Sequence, residues 1–279
     1  SFTYNISNLQ MKIISHKKKL KKFILGERNL GFVPTMGAIH KGHLSLIKKS
    51  IAQCNKTIVS IFVNKPQFNR INDYKKYPRV LKKDISLLKK IGVHYLFLPS
   101  HNQIYPDGIN KRIKVHPFSK KLCGKYRPHH FESVVDVVDR FIKLIHPKKI
   151  YFGEKDMQQL KIIEDFIKKN HSYVKVVACK TIREKNGIAL SSRNFLLSFD
   201  ERMIASKIYK ILRMRKNNLI KKSIYITDIK KKIFTLGVNK IDYIEILDIN
   251  KLIKPYKNKV IYKVFIAYFL GSTRLIDNI

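Results

Sequence analysis

The chain has 279 residues, 44% of them hydrophobic, and 58 basic residues against 19 acidic ones give a formal net charge of +39. That length and apolar content suit one large or two ordinary soluble domains with an ample core. A membrane span is excluded, because no uncharged apolar run approaches ~18 residues and the longest candidate, 260–270, is broken by Lys263.

Residues 1–10 precede Met11 and lack the basic start and apolar run of a secretory signal, so they read as an upstream extension. Cys54, Cys123 and Cys179 show neither metal spacing nor a disulfide framework. They read as buried small hydrophobes of a reducing cytoplasm. The basic excess is mostly lysine scattered on helical segments such as 17–22 and 230–232, with few aromatics between. Solvated helix faces therefore outweigh a nucleic-acid surface. The positive field would still attract small anionic substrates.

Apolar spacing predicts a short strand and a basic helix over 11–26, then a core strand over 29–34 and a helix over 42–54. Residues 57–64 are β-branched and nearly continuous, as in a buried parallel strand. A Tyr-rich loop is expected over 73–79, a helix over 80–91, a short strand over 95–98 and an edge strand over 112–115. After a loop over 123–130, a helical stripe runs from 131 to 145. A strand over 150–153, a helix over 156–168 and a strand over 174–179 complete the pattern. Alternating strands and helices predict an α/β fold, a Rossmann-like parallel sheet with helices on both faces. Beyond a loop over 183–194 come helices over 200–216 and 227–236, then strands over 243–249 and 259–269. That grammar predicts a smaller C-terminal α+β domain. The domains are placed at 1–180 and 181–279.

Pro34-Thr35-Met36-Gly37-Ala38-Ile39-His40-Lys41-Gly42-His43 joins the first core strand to its helix. Phosphate sites in α/β proteins are built at such turns, where helix N-terminal amides point at an anion. His40 and His43 can face one ligand, although helix-start histidines also cap or pack. Gly153-Glu154-Lys155-Asp156 ends another parallel strand; Lys155 suits phosphate and Asp156 ribose hydroxyls, or an acid there caps the helix. Gln158 and Gln159 follow in the first turn, able to bind a small polar ligand or to face water. Ser191-Ser192-Arg193-Asn194 offers two hydroxyls and a guanidinium to a polyphosphate, or forms an ordinary polar turn. Asn64 and Gln67 follow a buried strand, where their amides could orient a carboxylate or hydroxyl, or make an Asx-type turn. Asp84 is a candidate for a metal–phosphate complex, or for a surface salt bridge. No activated nucleophile stands out, so a reaction driven by positioning and charge stabilisation suits the inventory.

Together these segments resemble the pantoate–β-alanine ligase (pantothenate synthetase) family. The matching stretches are Phe32 through Leu44, Ser60-Ile61-Phe62-Val63-Asn64, Tyr77-Pro78-Arg79, Tyr151 through Leu160, Leu190 through Asn194, and Arg274-Leu275-Ile276-Asp277-Asn278. The resemblance implies an ATP-dependent, AMP-forming ligase of the nucleotidyltransferase-like superfamily, cytoplasmic, using Mg²⁺ and forming a homodimer. It implies a first domain that binds nucleotide and pantoate and a C-terminal lid domain that closes before chemistry. Pantoate, ATP and β-alanine would be its substrates, pantoyl adenylate its intermediate, and pantothenate, AMP and pyrophosphate its products. His40, His43, Lys155, Ser191, Ser192 and Arg193 would hold the phosphates. Pro34, Thr35 and Met36 would border the nucleotide, Gly153 and Asp156 the ribose, and the backbone near Ile182 the adenine. Gln67 and Gln159 would hold pantoate. The family's Asn-Pro-x-Gln-Phe is here Asn64-Lys65-Pro66-Gln67-Phe68, and its His-Phe-x-Gly is His130-Phe131-Glu132-Ser133. The alternatives are another nucleotidyltransferase-superfamily enzyme and a basic nucleic-acid-binding protein.

Overall fold

A computed structural model describes residues 10–221, 225–250 and 262–279, so all of the expected N-terminal extension but Gln10 lies outside the described residues. The chain divides into two compact units. The first takes the chain up to His116, then His129–Gly153 and Gln159–Cys179; the second takes Pro117–Pro128, Glu154–Gln158 and Lys180–Ile279.

The first unit is built on strands β1 (Lys12–Ile14), β2 (Leu30–Thr35), β3 (Lys56–Ile61), β4 (Tyr95–Phe97), β5 (Lys149–Gly153) and β6 (Lys175–Cys179). They lie in the order β1-β4-β3-β2-β5-β6, and every neighbouring pair is parallel. From β2 the chain moves outward to β3, and it later returns to place β5 on the other side. β2 is therefore the switch strand, and ligands of such sheets bind beyond its carboxyl end. The helices among the described residues are α1 (Lys17–Ile24), α2 (Lys41–Gln53), α3 (Ile71–Lys76), α4 (Leu81–Lys90), α5 (His101–Ile104), α6 (Cys123–Tyr126), α7 (His130–Ile145), α8 (Met157–Asn170), α9 (Phe199–Lys221) and α10 (Tyr225–Thr235). Val33, Val59, Leu96 and Tyr151 bury together with Ile47 of α2 and Leu88 of α4.

Helix α2 packs hard on β2. A Cβ added at Gly31 would stand 2.1 Å from Ser50 Oγ, and that hydroxyl is already bonded to Thr57 Oγ1 at 2.8 Å. Neither partner can retreat without losing a buried hydrogen bond. Gly31→Ala is expected to cost about 1–3 kcal/mol by overpacking, read as a lowered urea midpoint at unchanged slope. An unchanged midpoint would show that α2 backs away freely.

Four local expectations need correction, the first being the loop expected over 123–130, which opens with α6 at Cys123–Tyr126. The strand expected over 57–64 ends at Ile61, and the chain leaves the sheet for a 3₁₀ turn at Lys65–Gln67. Pro66 cannot donate to a ladder, and the second position of a tight turn does not require it to. The first half of the expected Tyr-rich loop is taken by α3, whose end is closed by the Arg79 guanidinium bonding the carbonyls of Tyr74, Lys75 and Tyr77. Residues 112–115 form no strand: the amide of Arg112 turns to Asn110 Oδ1 at 3.0 Å, an Asx-type turn.

The second unit has an antiparallel sheet of β7 (Lys240–Asp248), β8 (Tyr262–Leu270) and β9 (Thr273–Asn278), in that order. Leu212 and Ile208 of α9 and Ile233 of α10 bury with Ile244, Val264 and Ile266 of the sheet. Residues 259–261 of the strand expected over 259–269 lie outside the described residues. Strand β9 escapes a hydrophobicity reading because Arg274 and Asp277 interrupt it. Each is matched within this unit, Arg274 by Asp242 at 2.8 Å and Asp277 by both arms of Arg183 at 2.7 and 2.9 Å. The three cysteines are free and buried. Among the described residues no helix is long and apolar enough to cross a membrane.

Candidate active site

The turn after β2 begins with Thr35, whose hydroxyl donates to the carbonyl of Ser60 at 2.7 Å and accepts from the amide of Gly37 at 3.1 Å. Gly37 and Ala38 then both take left-handed backbone, at φ 79° and 50°. That is easy for glycine and costly for alanine. The reversal aims two successive amides inward, where Asp84 meets them: its Oδ2 accepts from Ala38 at 2.9 Å and its Oδ1 from Ile39 at 2.7 Å.

Asp84 projects from the first turn of α4 and is only 1% exposed. Burial raises its carboxyl above the usual range, and the two amides and Lys83 pull it partly back. The surface salt bridge weighed for Asp84 is therefore wrong. The residue is the internal counter-anion of the loop, filling a pair of amides that would otherwise bind an external one.

Helix α2 starts from the same turn with a reciprocal cap. His40 Nδ1 accepts from the amide of Gly42 at 3.1 Å, and His43 Nδ1 from the amide of His40 at 3.4 Å. An Nδ1 that accepts carries no proton, so each neutral ring holds its proton on Nε2. The rings lie with centroids 4.0 Å apart. The helix cap thus sets the tautomer of both histidines and makes Nε2–H the donor each presents. The amides of Gly37, Ala38, Ile39, His40 and Gly42 all have protein acceptors. These five amides of the turn are thus engaged within the protein.

A second cluster lies at the carboxyl end of β3. Asn64 is 1% exposed. Its Nδ2 donates to Gln67 Oε1 at 3.0 Å and to the carbonyl of Ser133 at 3.2 Å, and its Oδ1 accepts from the Tyr105 hydroxyl at 2.8 Å. Burial, with Asp136 adding to it, pushes the Tyr105 hydroxyl up, so it stays a donor. Ring nitrogen Nδ1 of His130 bonds the carbonyl of Gln67 at 2.8 Å, and Gln67 Nε2 reaches Met36 Sδ at 3.4 Å. Gln67 is thereby tied to the turn after β2 through Met36. Asn64 orients Gln67, and both of its amide protons are already given. Ser133 contributes only its carbonyl to Asn64, which glycine would supply equally well.

Of the other expected residues of this unit, Pro34 and Gln159 are half-buried. A Cβ added at Gly153, the last residue of β5, would meet nothing within 4 Å. In the second unit, Lys155 Nζ stands 3.7 Å from Asp156 Oδ1. Ser191 caps a 3₁₀ turn, Ser192–Leu196, by accepting from the amide of Arg193 at 3.2 Å. The carbonyl of Ile182 is taken by the amide of Leu190 at 3.0 Å, at the foot of a small hairpin. Gln158 is buried and does not face water. It donates to the carbonyls of Phe118 and Lys121 and accepts from the amide of Cys123 at 3.0 Å.

A parallel sheet with a switch-strand turn that leads into a histidine-capped helix defines a doubly wound α/β protein. The particular family follows from comparison: a profile described as pantoate–beta-alanine ligase matches residues 9–279, and the chain belongs to that family of ligases. Pantothenate synthetase from Caldicellulosiruptor saccharolyticus is 42% identical over 268 residues, 94% of either chain. That from Sulfurihydrogenibium is 41% identical over 286 residues, 99% of this chain and 98% of its own. A crystal structure of the Thermus thermophilus protein superposes with TM-score 0.88 at 33% identity, covering 96% of this chain and 99% of that one. The Francisella tularensis ligase, crystallised with β-γ ATP and β-alanine, superposes with TM-score 0.84 at 38% identity, covering 96% and 97%.

Tyr105, and Asp84 as the loop's clamp, were missed by sequence reasoning. The one cue to Asp84 was a lone acid among lysines in the first turn of a helix.

Proposed function

We propose that this chain condenses pantoate with β-alanine at the expense of ATP, through a pantoyl-adenylate intermediate. A pantoate carboxylate oxygen attacks the α-phosphorus, and the bond to pyrophosphate breaks. The β-alanine amine then attacks the acyl carbon and loses a proton, the bond to AMP breaks, and pantothenate is released. The carrying observation is the reciprocal histidine cap, which fixes two Nε2–H donors at the end of the switch strand. Donors held in place before charge develops on the α-phosphate lower the barrier without reorganising.

Lys155, Ser191, Ser192 and Arg193 are assigned with His40 and His43 to the phosphates, Pro34, Thr35 and Met36 to the nucleotide border, Gly153 and Asp156 to the ribose, and the backbone near Ile182 to the adenine. Gln67 and Gln159 are assigned to pantoate, with Asn64 acting through Gln67. The ATP and β-alanine in the Francisella relative support this reading.

The homodimer and magnesium belong to the same proposal by family resemblance. Among the described residues no group of three or more His, Cys, Asp or Glu side chains could hold a metal ion, and both Asp84 oxygens are engaged by amides. The described residues do not build a cation cage. Magnesium held by substrate phosphates and water needs no such cage.

The deciding experiment is exchange of labelled pyrophosphate into ATP. It is expected to require pantoate and to proceed without β-alanine. Exchange that ignores pantoate would overturn the proposal.

A further inference from the structure

The segment that carries Lys155 is held from within its own unit. Asn278 of β9 is 2% exposed, and its Nδ2 donates to two successive carbonyls, Glu154 at 2.9 Å and Lys155 at 2.8 Å. The orientation of that amide is unambiguous, because turning it over would set Oδ1 against both carbonyl oxygens. Oδ1 itself finds no partner among the described residues. The side chain accepts one unpaired atom in order to make a two-carbonyl clamp.

The clamp has a rigid base. Asn278 pairs with Phe265 of β8, its amide donates to Asp277 Oδ1 at 2.8 Å, and its carbonyl accepts from Arg183 at 3.1 Å. The far end of the segment is fixed by the three hydrogen bonds of Gln158. Between those two anchors the only side chains are Lys155, Asp156 and Met157.

We propose that Asn278 is a positioning residue for Lys155, fixing that lysine's main chain so that its ammonium is presented in one place. The proposal rests on the phosphate role given to Lys155 above. A flexible four-carbon side chain on a drifting backbone reaches many places, and a misplacement of about 1 Å can cost ~10²-fold in rate.

Three variants test it. Asn278→Ala removes both donors, and Asn278→Asp removes them at constant shape. Lys240→Gln loosens an ion pair with Asp242 on β7, the other edge strand of the same sheet, and touches none of the clamp's partners. Pantoate-dependent pyrophosphate exchange is expected to fall at least ~10-fold in both Asn278 variants, with the KM for pantoate unchanged. In a Lys155→Ala background, measured at high enzyme concentration, Asn278→Ala is expected to add less than about twofold, because the two residues act as a unit. Deuterium exchange of the amides in 154–158 is expected to quicken in both Asn278 variants and not in Lys240→Gln. Equal fold-losses in the two backgrounds, or unaltered amide exchange over 154–158, would overturn the positioning role. A wild-type protein lacking pantoate-dependent exchange would instead overturn the assigned function, and amide exchange would still decide whether the clamp exists.

Discussion

His43→Ala is expected to depress pantoate-dependent adenylation by roughly 10²–10³-fold, the usual loss when one preorganised donor to a developing charge is removed. The variant should also lose some stability, because His43 Nδ1 accepts the amide of His40. One missing helix-cap bond costs about 1 kcal/mol. That loss is small against a typical total of about 5–15 kcal/mol, so the protein stays folded. His43→Gln separates the two roles. Glutamine is the ordinary residue for the third position of a capping box, and its amide oxygen can take the same His40 amide. It is expected to recover the lost stability and not the rate. Single-turnover adenylate formation, read beside urea denaturation, checks both. Wild-type turnover in His43→Ala would remove the ring from the chemistry, and full recovery in His43→Gln would show that only the cap mattered.

The sequence made the sheet legible because its parallel strands are buried on both faces and read as apolar runs, such as Phe32-Val33 and Ile58-Val59. It hid β9, where Arg274 and Asp277 are neutralised by partners far along the chain, Asp242 and Arg183. The motif after β2 was legible as a turn that aims amides at an acceptor, but its internal acceptor was not. Local spacing says that a glycine turn before a helix exposes amides. Only the fold says that Asp84, some 45 residues later, arrives to consume two of them. Asn64 and Gln67 were legible as a pair three residues apart, but their division of labour was not. It depends on Tyr105 and Ser133, which no local pattern ties to them. Long-range hydrogen bonds carry the specificity of this site, and local pattern carries its location.

Asp84→Ala is expected to be the most damaging single change in the turn after β2. It strands the amides of Ala38 and Ile39 in a site that is 1% exposed. Each buried donor left without a partner costs about 1–3 kcal/mol, so the loss is roughly 2–6 kcal/mol, less what is regained by no longer burying a charge. Asp84→Asn should be milder in stability, since its Oδ1 keeps one amide and it carries no charge. It should still be slow in adenylation, because its NH₂ opposes the second amide and one of the two residues before His40 must turn away.

The pH dependence has a definite sign. The folded carboxyl lies above the ordinary value, chiefly through burial. Its contribution to stability is therefore fully present below the unfolded pKa of about 3.9 and is lost as pH rises through the folded one. Wild type should thus gain stability relative to Asp84→Asn as pH falls through that window. Urea midpoints across about pH 3.5–7, with pyrophosphate exchange at neutral pH, check the set. Wild-type exchange in Asp84→Asn would show that a single amide anchor suffices. A stability gap that narrows toward low pH would mean that Asp84 is held as a favourable anion, because the amide pair would then outweigh its burial.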